Sequence, residues 1–241
     1  MEIQQGQQQD KDEQEKRQQQ RQQIYQSLAL GLKQIRLLRL YPSSDPKSEI
    51  ECELFIATLG KKSSAIPISG QQQIGYDALS YTWGDPAATQ RIRLNNSAFF
   101  VTQNLCEALR QLRLATRPRV VWADACCINQ EDNVEKASQV GMMFDIYLKA
   151  TQTVVWLGAC TMDIDPVFDL INKINDLGLY EQGQIVKVAS IRNAALSLFE
   201  KTEWFQRTWV RQEIHAGRKV QIICGRYSCN FEDFQAVMDG L

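Results

Sequence analysis

The fold turns on one stretch, RVVWADACCINQ, residues 119–130. Its run Val120-Val121-Trp122-Ala123 is apolar without alternation, the pattern of a strand buried on both faces, and such strands belong mainly to parallel sheets. Asp124 ends the run. A helical pattern, EDNVEKASQVGMMFDIYLKA (131–150), follows with acids in its first turn, where a helix dipole favours them. TQTVVWLGA (151–159) is then a second buried strand, closing at Gly158. Strand, helix and strand in this order predict an α/β domain with a mostly parallel central sheet flanked by helices.

Working outward toward the N-terminus, YDALSYTWGD (76–85) reads as a strand stopped by Gly84-Asp85-Pro86. RIRLNNSAFFVT (91–102) reads as a hairpin turning at Asn95-Asn96, because asparagine tolerates positive φ. Thr102 is placed to cap the next helix, whose Leu105, Leu109 and Leu112 share one stripe. QIRLLRLYP (34–42) and IECELFIATL (50–59) form an expected N-terminal β extension across the polar turn SSDPKS. Residues 1–27 hold twelve glutamines among charges and few apolar groups, so they are expected as a disordered or helical tail, with the domain proper spanning 34–241. Toward the C-terminus, a helical insertion is expected over about 163–203. EWFQRTWVRQEI (203–214) supplies a further helix to about Gly217, KVQIICG (219–225) a strand, and NFEDFQAVMDGL (230–241) a last helix.

Composition narrows the function classes. A formal charge of -1 gives no basic footprint for nucleic acid. No run of eighteen apolar residues is present to span a membrane, and MEIQQGQQQD lacks the apolar core of a signal peptide, so an intracellular, cytoplasmic address is expected. Seven cysteines in irregular spacing read as buried free thiols, and with His215 the sole histidine no metal site is expected. The chain has neither a P-loop nor a dinucleotide fingerprint. A thiol nucleophile would need Cys126 or Cys127 to work with His215. Acid–base work with carboxylates, or pure binding, remains.

In open parallel sheets ligands bind beyond the carboxyl ends of the strands. Here one strand delivers Tyr81, Trp83 and Asp85, and the next delivers Asp124 and Asn129. The helix carrying Arg207, Trp209 and Glu213 follows further on and is expected to close the same cleft. Trp209 and Glu213 lie four apart, hence on one helical face. Two readings stay open: a core anchor with an ion pair to Arg207 or Arg211, or an active-site wall carrying a carboxylate.

YDALSYTWGD, VVWADACCINQEDNVEKASQVGMMFDIYLKA, TVVWLG and WFQRTWVRQEI resemble, in this order, the blocks of the fungal heterokaryon incompatibility (HET) domain. That resemblance implies an intracellular fungal protein that triggers cell death when a protein partner signals non-self. A remoter similarity, of YDALSY, TVVWLG and WVRQE, is to Toll/interleukin-receptor (TIR) domains, which implies a flavodoxin-like core. In TIR enzymes a W-x-x-x-E glutamate cleaves NAD. The resemblance therefore implies Glu213 as catalytic carboxylate, NAD as substrate rather than cofactor, and activation by homo-oligomerisation. An anion beside the ribose would stabilise the oxocarbenium character that develops as nicotinamide leaves. Tyr81, Trp83, Asp85, Asp124, Asn129, Arg207 and Trp209 are the corresponding candidates for binding substrate. The alternative is a non-catalytic module that recruits a death-signalling partner.

Overall fold

A computed structural model describes residues 2–60, 65–67, 74–159, 167–171 and 189–239. By its internal contacts the chain divides into two units, Met1–Tyr76 with Trp83–Met142, and Asp77–Thr82 with Met143–Leu241. Both combine strands and helices.

In the first unit, helix α1 (Glu2–Ser27) precedes strands β1 (Gln34–Leu40), β2 (Glu51–Leu59) and β3 (Ala65–Pro67). β1 and β2 pair antiparallel with Leu38 opposite Leu54, as two strands joined across a polar turn predict. β5 (Thr89–Leu94) and β6 (Ser97–Thr102) form the expected hairpin. Its two turn residues, Asn95 and Asn96, have φ of 49° and 62°, the left-handed pair that a two-residue turn between twisted strands requires. The Asn95 side chain also brackets Leu54, accepting from its N–H at 2.7 Å and donating to its carbonyl at 3.2 Å. Helix α2 (Gln103–Leu112) starts at Thr102, whose hydroxyl accepts from Leu105 N, and buries Leu105, Leu109 and Leu112.

β7 (Arg119–Trp122) is the strand from which the fold was read. It is buried at Val121 and Trp122, but it pairs antiparallel with β1, Leu38 opposite Val121. An apolar run reports burial on both faces; direction is set by how the chain returns to the sheet. In this unit β2–β5 is the parallel pair, while β1–β2, β1–β7, β2–β3 and β5–β6 are antiparallel. After β7 come a one-turn helix α3 (Asp124–Cys127) and helix α4 (Asn133–Gly141), the latter capped by Asp132, which accepts from Val134 N and Glu135 N.

The second unit holds β4 (Asp77–Tyr81), β8 (Gln152–Trp156), β9 (Val220–Cys224) and β10 (Tyr227–Asn230). β4, β8 and β9 are parallel, with Ser80 opposite Val155 and Val155 opposite Ile222; β10 adds antiparallel at the edge. The parallel expectation holds for these three strands, so the fold is α/β with mixed strand direction. The long helix expected over 131–150 is instead two, α4 and α5 (Met143–Lys149), separated by Met142. Helix α6 (Ala189–Lys201), a 3-10 turn (Glu203–Gln206), α7 (Val210–Ala216) and α8 (Phe231–Asp239) complete the unit. Val155, Phe168, Ile171, Leu198, Trp204, Ile222 and Phe234 form its core. Much of the insertion expected over 163–203 lies outside the described residues; within it, 167–171 and Ala189–Lys201 are helical.

Candidate functional site

Among the described residues, each unit carries polar clusters on motif residues. In the second unit, β4 is buried along its whole length and includes the small hydroxyl of Ser80, 1 % exposed. A hydroxyl there must find partners inside the protein. Ser80 Oγ accepts from Trp204 Nε1 at 2.7 Å and donates to Glu213 Oε2 in a short hydrogen bond. The other carboxylate oxygen, Oε1, pairs with Arg207 Nη2 at 3.3 Å. Glu213 is 1 % exposed and Arg207 one-quarter exposed, so the carboxylate is buried and its counter-charge reaches water. Arg207 Nη1, also buried, has no hydrogen-bond partner among the described residues.

Local structure explains the placement. The 3-10 turn aims Trp204 into the core, and Arg207 ends that turn with its N–H on the Trp204 carbonyl. α7 then follows its cap Trp209, whose carbonyl accepts from Gln212 N and Glu213 N. Glu213 thus sits in the first turn of α7, the end of a helix that favours an anion. At the other end the backbone of Gly217 runs close to β8: a Cβ there would lie 2.5 Å from Thr153 Oγ1.

The geometry redistributes the roles expected of this segment. Trp209 is 52 % exposed and anchors nothing in the core. The buried anchor is Trp204, because Trp209 precedes the helix as its cap and the four-residue spacing to Glu213 does not place both on a buried stripe. Arg207 and Glu213 are brought together. Tyr81 is buried at the end of β4. Sequence reading missed Ser80 and Trp204. A serine between Leu79 and Tyr81 in a strand with no alternation was the available signal for Ser80.

In the first unit, Trp83 and Asp124 are brought together. The indole is 42 % exposed, and its Nε1 donates to Asp124 Oδ2 at 2.8 Å. Asp124 Oδ1 accepts from Ala125 N at 2.8 Å, so the carboxylate both starts α3 and fixes the plane of an exposed ring. Gly84, φ 76°, follows in the left-handed region, with its Cβ position 3.2 Å from Asn104 Cβ. Asp85 and Asn129 serve turns: Asp85 Oδ1 accepts from Ala87 N, and Asn129 Oδ1 accepts from Glu131 N. Asn129 N donates to Glu135 Oε1 at 2.7 Å, and Glu135 in turn forms a two-pronged pair with Arg36, which is fully buried in β1. Arg36 was not legible as a partner because ninety-nine residues separate the two.

Cys126 and Cys127 are fully buried. Burial pushes the Cys126 thiol up to about 12 and the Cys127 thiol higher still, so both stay protonated and unsuited to nucleophilic attack.

Against known proteins, the family model described as heterokaryon incompatibility protein (HET) matches residues 76–213, more than half of the 241-residue chain. The chain therefore belongs to the HET family. It is 36 % identical over 165 residues to heterokaryon incompatibility protein 6, OR allele, of Neurospora crassa; the aligned part is 62 % of this chain and 23 % of that relative. The chain thus spans about a quarter of the length of the curated relative it matches. No solved structure matches it. Among the described residues, no helix is long and apolar enough to cross a membrane.

Proposed function

We propose that this chain is the incompatibility-triggering part of a fungal cell-death effector, and that it acts by engaging other proteins, with the Ser80–Glu213–Arg207 cluster as its internal lock. One observation carries this reading: Glu213 is 1 % exposed with a partner on each carboxylate oxygen. A carboxylate so placed joins α7 to β4 through Ser80 and the 3-10 turn through Arg207. The membership in the HET family and the N. crassa relative support the cell-death role.

A second reading is cleavage of the nicotinamide–ribose bond of NAD in a self-associated state, with a TIR-like origin for the core. What favours it is the composition of the same cluster. A carboxylate, a hydroxyl and a guanidinium converge, and Arg207 Nη1 is a buried donor with no partner among the described residues. Displacing Arg207 would free Glu213 to face a ribose, with Tyr81 and Trp209 of the same unit as the residues to test for substrate binding.

NAD consumption by concentrated protein, beside Glu213→Gln, separates the two. The interaction reading expects no NAD loss from folded, assembled wild type. Loss with wild type and none with Glu213→Gln would replace it by the enzymatic one. Equal loss from both proteins would refute Glu213 as the catalytic group.

A further inference from the structure

The motif loop after β7 is held by residues that lie outside the segment matched to the family. α3 is a single turn, so its last carbonyls have no partner of their own within the helix. Three consecutive ones are each taken by a different side chain. Ala125 O accepts from Arg21 Nη2 at 3.0 Å, Cys126 O from Tyr25 Oη at 2.9 Å, and Cys127 O from Arg36 Nη1 at 3.2 Å. Arg21 and Tyr25 are one turn apart on α1. Arg36 Nε reaches back to Leu28 O, at the end of α1, at 2.9 Å, and its guanidinium lies 4.8 Å from the Tyr25 ring.

The seat of α1 is mostly polar. Among its described side chains, Ile24 and Tyr25 are the buried apolar ones. Arg17 and Arg21 lie over the Phe100 and Phe99 rings at 3.8 and 4.9 Å, and a cleft of about 350 Å³ remains beside them, lined also by Gln14, Gln18, Thr89 and Glu131. The seat thus rests on a few polar and cation–π contacts rather than on a long packed apolar stripe. The segment joining α1 to β1 includes Leu32, 97 % exposed, and Lys33 with φ 58°.

We propose that α1 is a displaceable strap that sets the conformation of the loop 124–130, and with it the exposed Trp83–Asp124 pair. A protein engaging the polar face of α1 acts on that loop by lifting Arg21 and Tyr25 from its carbonyls. The loop then has to find other donors, and Asp124, first residue of α3, moves with it.

Amide hydrogen exchange on the full chain tests this. In wild type, α1 is expected to exchange at least tenfold faster than the β1 amides, since it opens without global unfolding. Exchange of α1 and β1 at one rate, including a uniform speeding of both in a variant, would overturn the strap. Tyr25→Phe keeps the ring and removes only the hydroxyl; combined with Arg21→Gln it is expected to speed amides 125–130 at least tenfold while β4, β8 and β9 are unchanged. Arg17→Gln, over Phe100, is expected to leave the loop amides within twofold. Loop exchange within twofold of wild type in the double variant would refute the role of these two side chains.

Discussion

Ser80→Ala is the most informative single change, because one oxygen holds the second unit's polar cluster together. Its removal takes a bond from two groups: the indole N–H of Trp204 loses the Ser80 acceptor, and Glu213 Oε2 loses the Ser80 donor. A buried polar group left unsatisfied costs about 1–3 kcal/mol, more when charged. Glu213 keeps Arg207 on its other oxygen, and Arg207 is partly in water, so the loss falls short of stripping a buried ion pair. The net expectation is about 3 kcal/mol. For a chain of this size that corresponds to a melting temperature lower by roughly 6–12 °C. The assay is thermal and urea unfolding of wild type, Ser80→Ala, Trp204→Phe and the double variant. Because Trp204 and Ser80 share a bond, the double variant is expected to lose less than the sum of the singles, with a coupling of about 1 kcal/mol. A loss below about 0.5 kcal/mol for Ser80→Ala, the range of ordinary surface changes, with no coupling to Trp204, would refute the cluster as a lock.

Three further outcomes are expected. Gly217→Ala should destabilise by about 1–3 kcal/mol, since its Cβ would meet Thr153 Oγ1 at 2.5 Å and the strand and helix must part to admit it; relief of that cost in the double variant with Thr153→Ala would locate the clash. Asn95→Ala should cost about 1–2 kcal/mol in urea unfolding, as it removes both bonds to Leu54 and puts alanine at φ 49°. The third concerns pH: the Cys126 thiol rises from an ordinary 9.0 to about 12 on folding, so the folded chain keeps a proton that the unfolded chain releases. Its contribution is intact below pH 9 and lost as pH rises to about 12, so wild type should lose more stability than Cys126→Ala over that window in pH-dependent urea midpoints.

How far the sequence carried the fold differs element by element. The hairpin at Asn95-Asn96 and the Thr102 cap were readable because each depends on residues within a few positions, where backbone conformation and one hydrogen bond decide the outcome. The antiparallel pairing of β7 with β1 was not, because Val120-Val121-Trp122 would look the same in either direction. The break at Met142 had no Gly-Pro or capping signal strong enough to divide the helical period of 131–150. In the site, Glu213 and Arg207 were legible as charges that needed partners. The identity of the core tryptophan was not, since Trp204 and Trp209 differ in the turn each begins or ends, not in composition.

By itself, then, the sequence determined the local turns, the strand and helix order through the motif blocks, and membership in the HET family, because these rest on short-range chemistry and on motifs in a fixed order. Only the tertiary structure decided which distant groups meet. It placed Ser80 between Trp204 and Glu213, more than a hundred residues along the chain, and Arg36 against Glu135 and the loop carbonyls. A buried polar atom must be satisfied somewhere, but which partner satisfies it is fixed by strand register and helix packing rather than by its neighbours in sequence.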